Sequence, residues 1–262
     1  MTKFGTTARI KRIQSNLGVP DDGVIGPTTL TALENRLFDR QVQSAALAGV
    51  SLTVSRKGLQ QIVQHEISSA SYYRKFLSHP TWPGGSSGIT IGIGYDLGYS
   101  SGRQTRKDWS RDLPEIDLER LVSVCGLKGD GARQVLKNIQ SISIPLEAAQ
   151  RVFYESTLSR YAADTARVYK GVEDLHPNAQ AALLSLIFNR GTSLSGPRRK
   201  EMAAIRELVA QKDYAGISGQ IRAMKRLWED QGLDGLLKRR EDEARLVSQT
   251  DISLDEAEIV RV

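Results

Sequence analysis

Cysteine is almost absent from this sequence of 262 residues. The single Cys125 excludes an internal disulfide framework and any metal site built from several cysteines. No apolar run approaches the roughly 20 residues that a helix needs to span a bilayer. The N-terminus lacks the hydrophobic segment of a secretory signal peptide. We therefore expect cytoplasmic synthesis and no stable insertion into a membrane.

Aromatic residues are also scarce, at 6 % of the chain, and no helix-turn-helix or zinc-finger spacing accompanies the positive charge. The net charge of +6 favours an acidic partner, such as nucleic acid, an anionic membrane surface or an anionic cell-wall polymer. Nucleic acid is the weakest of these candidates, because no recognition motif is present. Charge that serves only solubility is the alternative. We interpret the basic clusters 198–200 and 238–240 as solvated faces, with attraction of anionic envelope polymers as the alternative reading.

Composition divides the chain into four parts. Residues 1–40 contain two short amphipathic segments around a turn rich in glycine and proline, and a module of this size is marginally stable alone. Small and polar residues dominate the uncharged segment 41–55, which predicts a linker, with partial helix as an option. Residues 56–249 are predicted to form the main domain. Residues 250–262 carry a net negative charge and are expected to be a loosely held tail.

Hydrophobic periodicity predicts a mostly α main domain of the α+β kind. The predicted helices are 56–68, 115–124, 129–140, 145–169, 177–190, 198–211, 213–229 and 233–248. Residues 181–188 are apolar nearly all round, so they are expected to form the central buried helix. Residues 80–100 instead show alternation of isoleucine with small residues, which predicts one small antiparallel β-sheet.

Glu66 is the first candidate catalytic residue. The apolar stripe of the helix at 56–68 consists of Leu59, Ile62, Val63 and Ile67, and Glu66 lies inside it. A carboxylate among apolar side chains is costly when ionised, so the pKa of Glu66 is expected to rise, as a general acid requires. The alternative is a glutamate at the edge of the stripe that reaches water or pairs with an arginine.

The segment 88–98 carries the other candidates. Thr90, Gly92 and Gly94 share one face of the predicted strand, and the bare glycines would let a flat sugar ring approach closely. Asp96 is an even number of positions from Thr90 and so shares this face. Six extended residues cover about 20 Å, however, so the chain must bend at a glycine if Thr90 and Asp96 are to hold one water. The alternative is a plain hairpin whose aspartate caps a helix.

Two carboxylates separated by a water-sized gap are the machinery of an inverting glycosidase. Glu66 can protonate the leaving oxygen, and Asp96 with the hydroxyl of Thr90 can hold a water against the opposite face of the sugar. This chemistry requires no cofactor and no metal. A nucleotide-binding loop is excluded, because Leu97 stands where a third glycine would be needed.

Several motifs of residues 56–248 resemble the phage-type lysozymes. They are Thr90-Ile-Gly-Ile-Gly, Leu183-Leu-Ser-Leu-Ile-Phe-Asn-Arg-Gly191, Trp228 and Gly232-Leu-x-x-Leu-Leu-Lys-Arg-Arg-Glu241. In common members an aspartate lies six positions before the threonine, where this chain has Gly84; an aspartate six positions after it, as Asp96 is here, is the pattern of the pesticin-like branch. The resemblance implies that Glu66, Asp96 and Thr90 are catalytic and that Asn189 lines the sugar groove. Gly92 and Gly94 are substrate-binding candidates because of their bare face.

Residues 13–33 are similar to short helical peptidoglycan-binding domains, through a Gln-x-x-Leu-Gly step and the turn Asp22-Gly-Val-Ile-Gly26. The resemblance implies that the partner is bacterial peptidoglycan, held through its stem peptide. A helical hairpin that only stabilises the main domain is the alternative reading. Trp228 is interpreted as a core residue rather than a platform for sugar stacking.

Together the resemblances imply a monomeric endolysin: a muramidase that cleaves the β-1,4 bond between N-acetylmuramic acid and N-acetylglucosamine with inversion. Such an enzyme is made in the host cytoplasm without a signal peptide and acts on periplasmic or cell-wall peptidoglycan, so a separate device delivers it. The alternatives are a lytic transglycosylase, which needs no base, and a non-catalytic wall-binding protein on a lysozyme scaffold.

Overall fold

The computed structural model describes residues 6–26, 28–29, 32–33 and 52–262. The chain forms two compact units, residues 1–44 and 45–262. The first contains helix α1 (Thr6–Leu17), and residues 28–29 and 32–33 are also helical. Leu30 and Leu37, which we expected on the apolar face of a second helix there, lie outside the described residues.

A buried glutamine organises the turn of the first unit. The two N–H groups of the Gln14 side chain donate to Asp22 Oδ1 at 2.6 Å and to the carbonyl of Val24 at 2.9 Å, and Thr29 Oγ1 lies 3.0 Å from the same nitrogen. Its carbonyl oxygen accepts from the backbone N–H of Gly23 at 2.8 Å. One buried amide therefore satisfies its donors and its acceptor within the loop and shapes it.

The second unit is mostly helical, as predicted. Its α-helices are α2 (Arg56–Ile67), α3 (Ala70–Tyr72), α4 (Gly102–Trp109), α5 (Glu115–Val122), α6 (Gly129–Val135), α7 (Leu146–Val152), α8 (Leu158–Val168), α9 (Pro177–Arg190), α10 (Lys200–Ala210), α11 (Tyr214–Ala223) and α12 (Asp234–Val247). Turns of 3₁₀-helix lie at Leu97–Tyr99, Leu136–Asn138, Val172–Asp174 and Met224–Leu227, and π-helical turns at Tyr73–Leu77 and Phe153–Thr157. Among the described residues, no helix has the length and apolar composition that crossing a bilayer requires.

Helix α9 is the centre of the second unit. Pro177 occupies its first turn, and residues 178–188 are all buried, which confirms the prediction of a central helix. Helices α2, α8 and α12 pack around it, so one helix connects elements from both ends of the unit. A helix that is apolar all round must be covered on every side, and this requirement sets the architecture.

Two antiparallel two-stranded sheets are present where one was predicted. The unexpected sheet pairs β1 (Thr53–Ser55) with β4 (Ile259–Arg261). Residues 52–55 are therefore not linker, whereas residues 41–51 of the predicted linker lie outside the described part. The prediction of a loosely held tail is wrong for its last residues, because Val260 and Val262 are buried.

The predicted sheet is the hairpin of β2 (Thr90–Ile91) and β3 (Tyr95–Asp96). Its turn contains Gly92 and Gly94, with φ of 56° and 66°, values that favour glycine. The inward-facing Tyr95 packs edge-on against Trp109 at 5.5 Å between ring centroids. Its hydroxyl donates to Asp108 Oδ2 at 2.8 Å, so helix α4 holds the hairpin in place.

Candidate active site

Glu66 lies in the last turn of α2 and faces an arginine. Glu66 Oε1 is 2.5 Å from Arg239 Nη1, and the side chains are 24 % and 4 % exposed, respectively. The expectation of a purely apolar surrounding is therefore wrong, and the alternative of pairing with an arginine is observed.

Arg239 is itself held by buried groups of α9 and α12. Its Nε donates to Glu243 Oε1 at 3.2 Å, and its Nη2 donates to Ser185 Oγ at 3.1 Å. Glu243 Oε1 also accepts from Ser185 Oγ at 2.5 Å and from Arg240 Nη2 at 2.7 Å. Arg239 and Arg240 are both buried, so the interpretation of 238–240 as a solvated face is wrong for both arginines.

The hairpin brings Thr90 and Asp96 side by side. They are direct partners in the β2–β3 register, which resolves the difficulty of the extended distance. Side chains opposite each other in an antiparallel pair have Cβ atoms about 4.5–5.5 Å apart. Thr90 is also fixed from its other edge, because its N–H donates to the carbonyl of Thr81 at 2.8 Å. A hydroxyl and a carboxylate are thus placed within reach of one small molecule.

Asp96 is anchored by backbone groups. Its Oδ1 accepts from Gly98 N at 2.8 Å and its Oδ2 from Gly88 N at 3.2 Å, so the aspartate does cap the 3₁₀-turn that follows. Burial raises the pKa of Asp96, against the lowering effects of these two N–H groups and of Arg160 and Lys128. A raised pKa makes the carboxylate a better proton acceptor, and each oxygen keeps a lone pair beyond its backbone bond.

The predicted bare face of the glycines is occupied by protein. A Cβ on Gly92 would lie 2.9 Å from the ring of Trp109, and a Cβ on Gly94 would lie 2.3 Å from Phe188 Cζ. These glycines let the hairpin pack against α4 and α9, so the space beside them cannot receive a sugar ring. This geometry opposes the substrate-binding role expected for Gly92 and Gly94.

Tyr161 is a buried phenol on α8. Its pKa is raised by burial first, and Asp96 and Glu66 raise it further, against the effect of Arg160. The ring packs at 4.5 Å from that of Phe188, between α8 and α9. Tyr161 and Arg160 were not predicted from the sequence, since an amphipathic helix gives no sign of which polar residues border a site.

Asn189 is exposed at the end of α9 and lines a cavity of about 350 Å³, together with Arg190, Arg198, Arg199, Trp228 and Leu236. It follows Ser185, a partner of Arg239, by one helical turn, which is about 6 Å along the axis. Its expected place in the sugar groove stays a prediction. Trp228 is 6 % exposed and belongs to the core, as interpreted from the sequence.

The candidate groups are thus two pairs in a mostly helical domain: a carboxylate opposite a hydroxyl on the hairpin, and a carboxylate bound to a buried arginine. The described part of the chain contains no cluster of three or more residues able to hold a metal ion. Acid–base chemistry on a glycosidic bond is what such a set of groups supports, and the protein class it defines is that of the glycoside hydrolases.

Comparison of the chain with known protein families gives a more specific class. The phage lysozyme family matches residues 127–243, so the chain contains a phage lysozyme domain, and the protein is a hydrolase that acts on glycosidic bonds. Such a domain implies peptidoglycan hydrolysis at the cell wall. A family described as a domain of unknown function, DUF8812, matches residues 63–180. No curated protein matches the chain.

The two matches divide the candidate site. Asn189 and Arg239 fall in the lysozyme match, whereas Glu66, Thr90 and Asp96 lie only in the region of unknown function. The overlap at residues 127–180 contains Tyr161. The phage lysozyme match therefore implies peptidoglycan hydrolysis, and the assignment of the reacting groups depends on geometry.

Proposed function

We propose that this enzyme is an endolysin-type muramidase that cleaves the β-1,4 bond between N-acetylmuramic acid and N-acetylglucosamine with inversion. The observation that carries the proposal is the register of Thr90 opposite Asp96 on the hairpin. This register pairs a hydroxyl with a carboxylate whose pKa is raised by burial, which suits the activation of a water. Glu66 supplies the second carboxyl group.

In this mechanism Glu66 donates its proton to the oxygen of the leaving sugar as the glycosidic bond breaks. The carboxylate that remains is stabilised by Arg239 at 2.5 Å. On the opposite face of the sugar, a water held by Asp96 and the hydroxyl of Thr90 attacks the anomeric carbon. Its oxygen forms the new bond and its proton passes to Asp96, so the configuration inverts.

The products test this proposal directly. Purified sacculi digested with the enzyme are expected to yield muramic acid with free reducing ends, measured by mass spectrometry after borohydride reduction. A lytic transglycosylase, which uses no water, would leave anhydro ends instead. Anhydro products would overturn the role of Asp96 as a base, and intact sacculi would support the non-catalytic alternative.

The pH dependence of cleavage tests Asp96. As the base it must be ionised, so activity is lost as the pH falls through its raised pKa. The positive charge of the exposed Lys128 lowers this pKa, so Lys128→Gln is expected to move the acidic limb of the kcat/KM profile to higher pH. Lys170→Gln, at an exposed lysine after α8, is the control. An unmoved limb in Lys128→Gln, or full activity in Asp96→Asn, would place the base elsewhere.

We further propose that the first unit anchors the enzyme to peptidoglycan. Val24 and Ile25 are 63 % and 50 % exposed on the loop that Gln14 organises. Large apolar side chains on a rigid loop are a common feature of binding surfaces. The exposed pair therefore offers a contact surface for a stem peptide.

The double variant Val24→Ser, Ile25→Ser is expected to reduce sedimentation with sacculi about tenfold, as the loss of two apolar contacts would. Hydrolysis of short glycan fragments should be unchanged, because the second unit carries the site. Removal of residues 1–44 should reproduce both effects. Undiminished binding in both variants would show that the unit does not anchor the enzyme.

A further inference from the structure

The cavity at the end of α9 carries positive charge that the protein leaves unneutralised. Arg190, Arg198 and Arg199 all line it. Arg190 Nη2 donates to the carbonyl of Arg198 at 2.6 Å, and Arg199 Nη1 contacts Met202 Sδ at 3.3 Å. Both acceptors are uncharged. Within the described ranges, none of these three arginines forms an ion pair with a carboxylate.

Glu201, whose negative charge raises the pKa of Arg190, is already paired with another arginine. Glu201 accepts from Arg226 Nε at 2.6 Å and from Arg226 Nη2 at 3.2 Å. The pKa of Arg190 is lowered to about 10, first by burial and then by the positive charges of Arg199, Arg240 and Arg198, in that order. The arginines therefore repel one another in a partly desolvated place, which is unfavourable without an added negative charge.

One of the same arginines has an orphaned polar atom. Among the described residues, Arg190 Nε is buried without a hydrogen-bond partner. The hydroxyl of Tyr169 and two nitrogens of Arg240 are likewise unpaired, although neither residue lines the cavity. Buried polar groups in folded proteins are nearly always satisfied, so the orphaned nitrogen of Arg190 at the cavity indicates a missing partner.

We propose that this cavity is a binding site for an oxyanion, a carboxylate or a phosphate. Several lone pairs and a negative charge would satisfy guanidinium donors and remove their repulsion. The volume of about 350 Å³ is in the range of small-ligand pockets. Two sources carry this chemistry: the carboxylates of stem peptides on the glycan, and phosphate-bearing polymers of the envelope.

Binding is measured first with inorganic phosphate as the probe, against chloride at equal ionic strength. At a phosphate concentration of about ten times Kd, the Tm of the wild type is expected to rise by about 3 °C or more. The Arg190 Hε resonance in the NMR spectrum should shift with the same Kd. Arg198→Gln and Arg199→Gln should each weaken binding at least tenfold, whereas Arg206→Gln, at an exposed arginine of α10, should bind as the wild type does.

A second readout separates binding from simple loss of structure. Without phosphate, Arg198→Gln is expected to have a Tm equal to or above that of the wild type, because it removes repulsion from the cluster. An equal response to phosphate in wild type and in both cavity variants would overturn the proposal, since it would reflect only the general effect of phosphate on folded proteins. A lower Tm of Arg198→Gln in chloride would also contradict it.

The source of the oxyanion is identified by competition, and this arm depends on the proposed function. Glu66→Gln protein with bound phosphate is titrated with muropeptides whose stem carboxylates are free or amidated. Displacement by the free form alone assigns the site to the glycan substrate, and displacement only by a polyglycerol phosphate, titrated in parallel, assigns it to a phosphate polymer; displacement by neither would show that the site serves no envelope polymer. Phosphate binding is measured without any catalysis. Failure of the muramidase proposal would therefore appear only in the products of digested sacculi and would leave the phosphate result unchanged.

Discussion

Glu66→Gln is expected to lower the rate of peptidoglycan cleavage by about 10²–10⁴-fold, the usual contribution of a general acid. Glutamine has no proton of comparable acidity to give to the leaving oxygen. Its carbonyl oxygen can still accept from Arg239 Nη1, so the contact between α2 and α12 is retained. Cleavage is measured by release of reducing ends from sacculi, and folding by the Tm and the near-UV circular dichroism.

Glu119→Gln is the matched control for this experiment. Glu119 is also paired with an arginine, Arg106, but lies on the exposed surface of α5. The control should cleave at the wild-type rate, because surface ion pairs contribute little. Wild-type activity in Glu66→Gln would show that Glu66 is not the general acid. Loss of native structure in that variant would show that the carboxylate serves stability instead.

Arg239→Met is expected to destabilise the second unit by about 3–5 kcal/mol, the usual effect of breaking a buried ion pair. Glu243, which is 2 % exposed, would keep Arg240 as its remaining cationic partner, and Ser185 would lose a donor. Activity should fall as well, since nothing then orients Glu66. Urea unfolding with a fit for the midpoint and the m-value measures the stability change.

Lys238→Met tests whether this effect belongs to the buried network. Lys238 is the preceding residue, its side chain is 70 % exposed, and it pairs with Asp242 at the surface. Its replacement should change stability by no more than about 0.5 kcal/mol. Arg239→Lys should show an intermediate loss, because a lysine can reach one acceptor but cannot span Glu66, Ser185 and Glu243 with one planar group. Equal stability of Arg239→Met and the wild type would contradict the network.

Local pattern was sufficient for most helices and failed where the pattern was weak or short. Helix α9 was predicted at 177–190 and is observed with those bounds, because its apolar composition and initial proline act within the helix itself. Helix α4 was missed, since it buries few residues, among them Trp109, and is otherwise strongly polar. Strands of three residues, such as β1 and β4, are too short to show a period of two.

The partners of the candidate acid show a second limit. Arg239 lies 173 positions from Glu66, in a run of basic residues that resembled a solvated face. A possible signal was the spacing of Arg239 and Arg240 before Glu243, at four and three positions, which suits ion pairs on one helix face. That spacing predicts the pairs within α12, but it does not show that the helix is buried against α9.

The sequence by itself determined most of the helical segments, where the glycine-rich hairpin lies and which residues could donate or accept a proton, because these properties depend on neighbours along the chain. Only the tertiary structure decided that Asp96 faces Thr90, that Glu66 meets Arg239, that the last strand pairs with the first of its unit, and that three arginines line one cavity. Ion pairs and desolvation depend on distances between segments remote in sequence, and packing around α9 sets those distances.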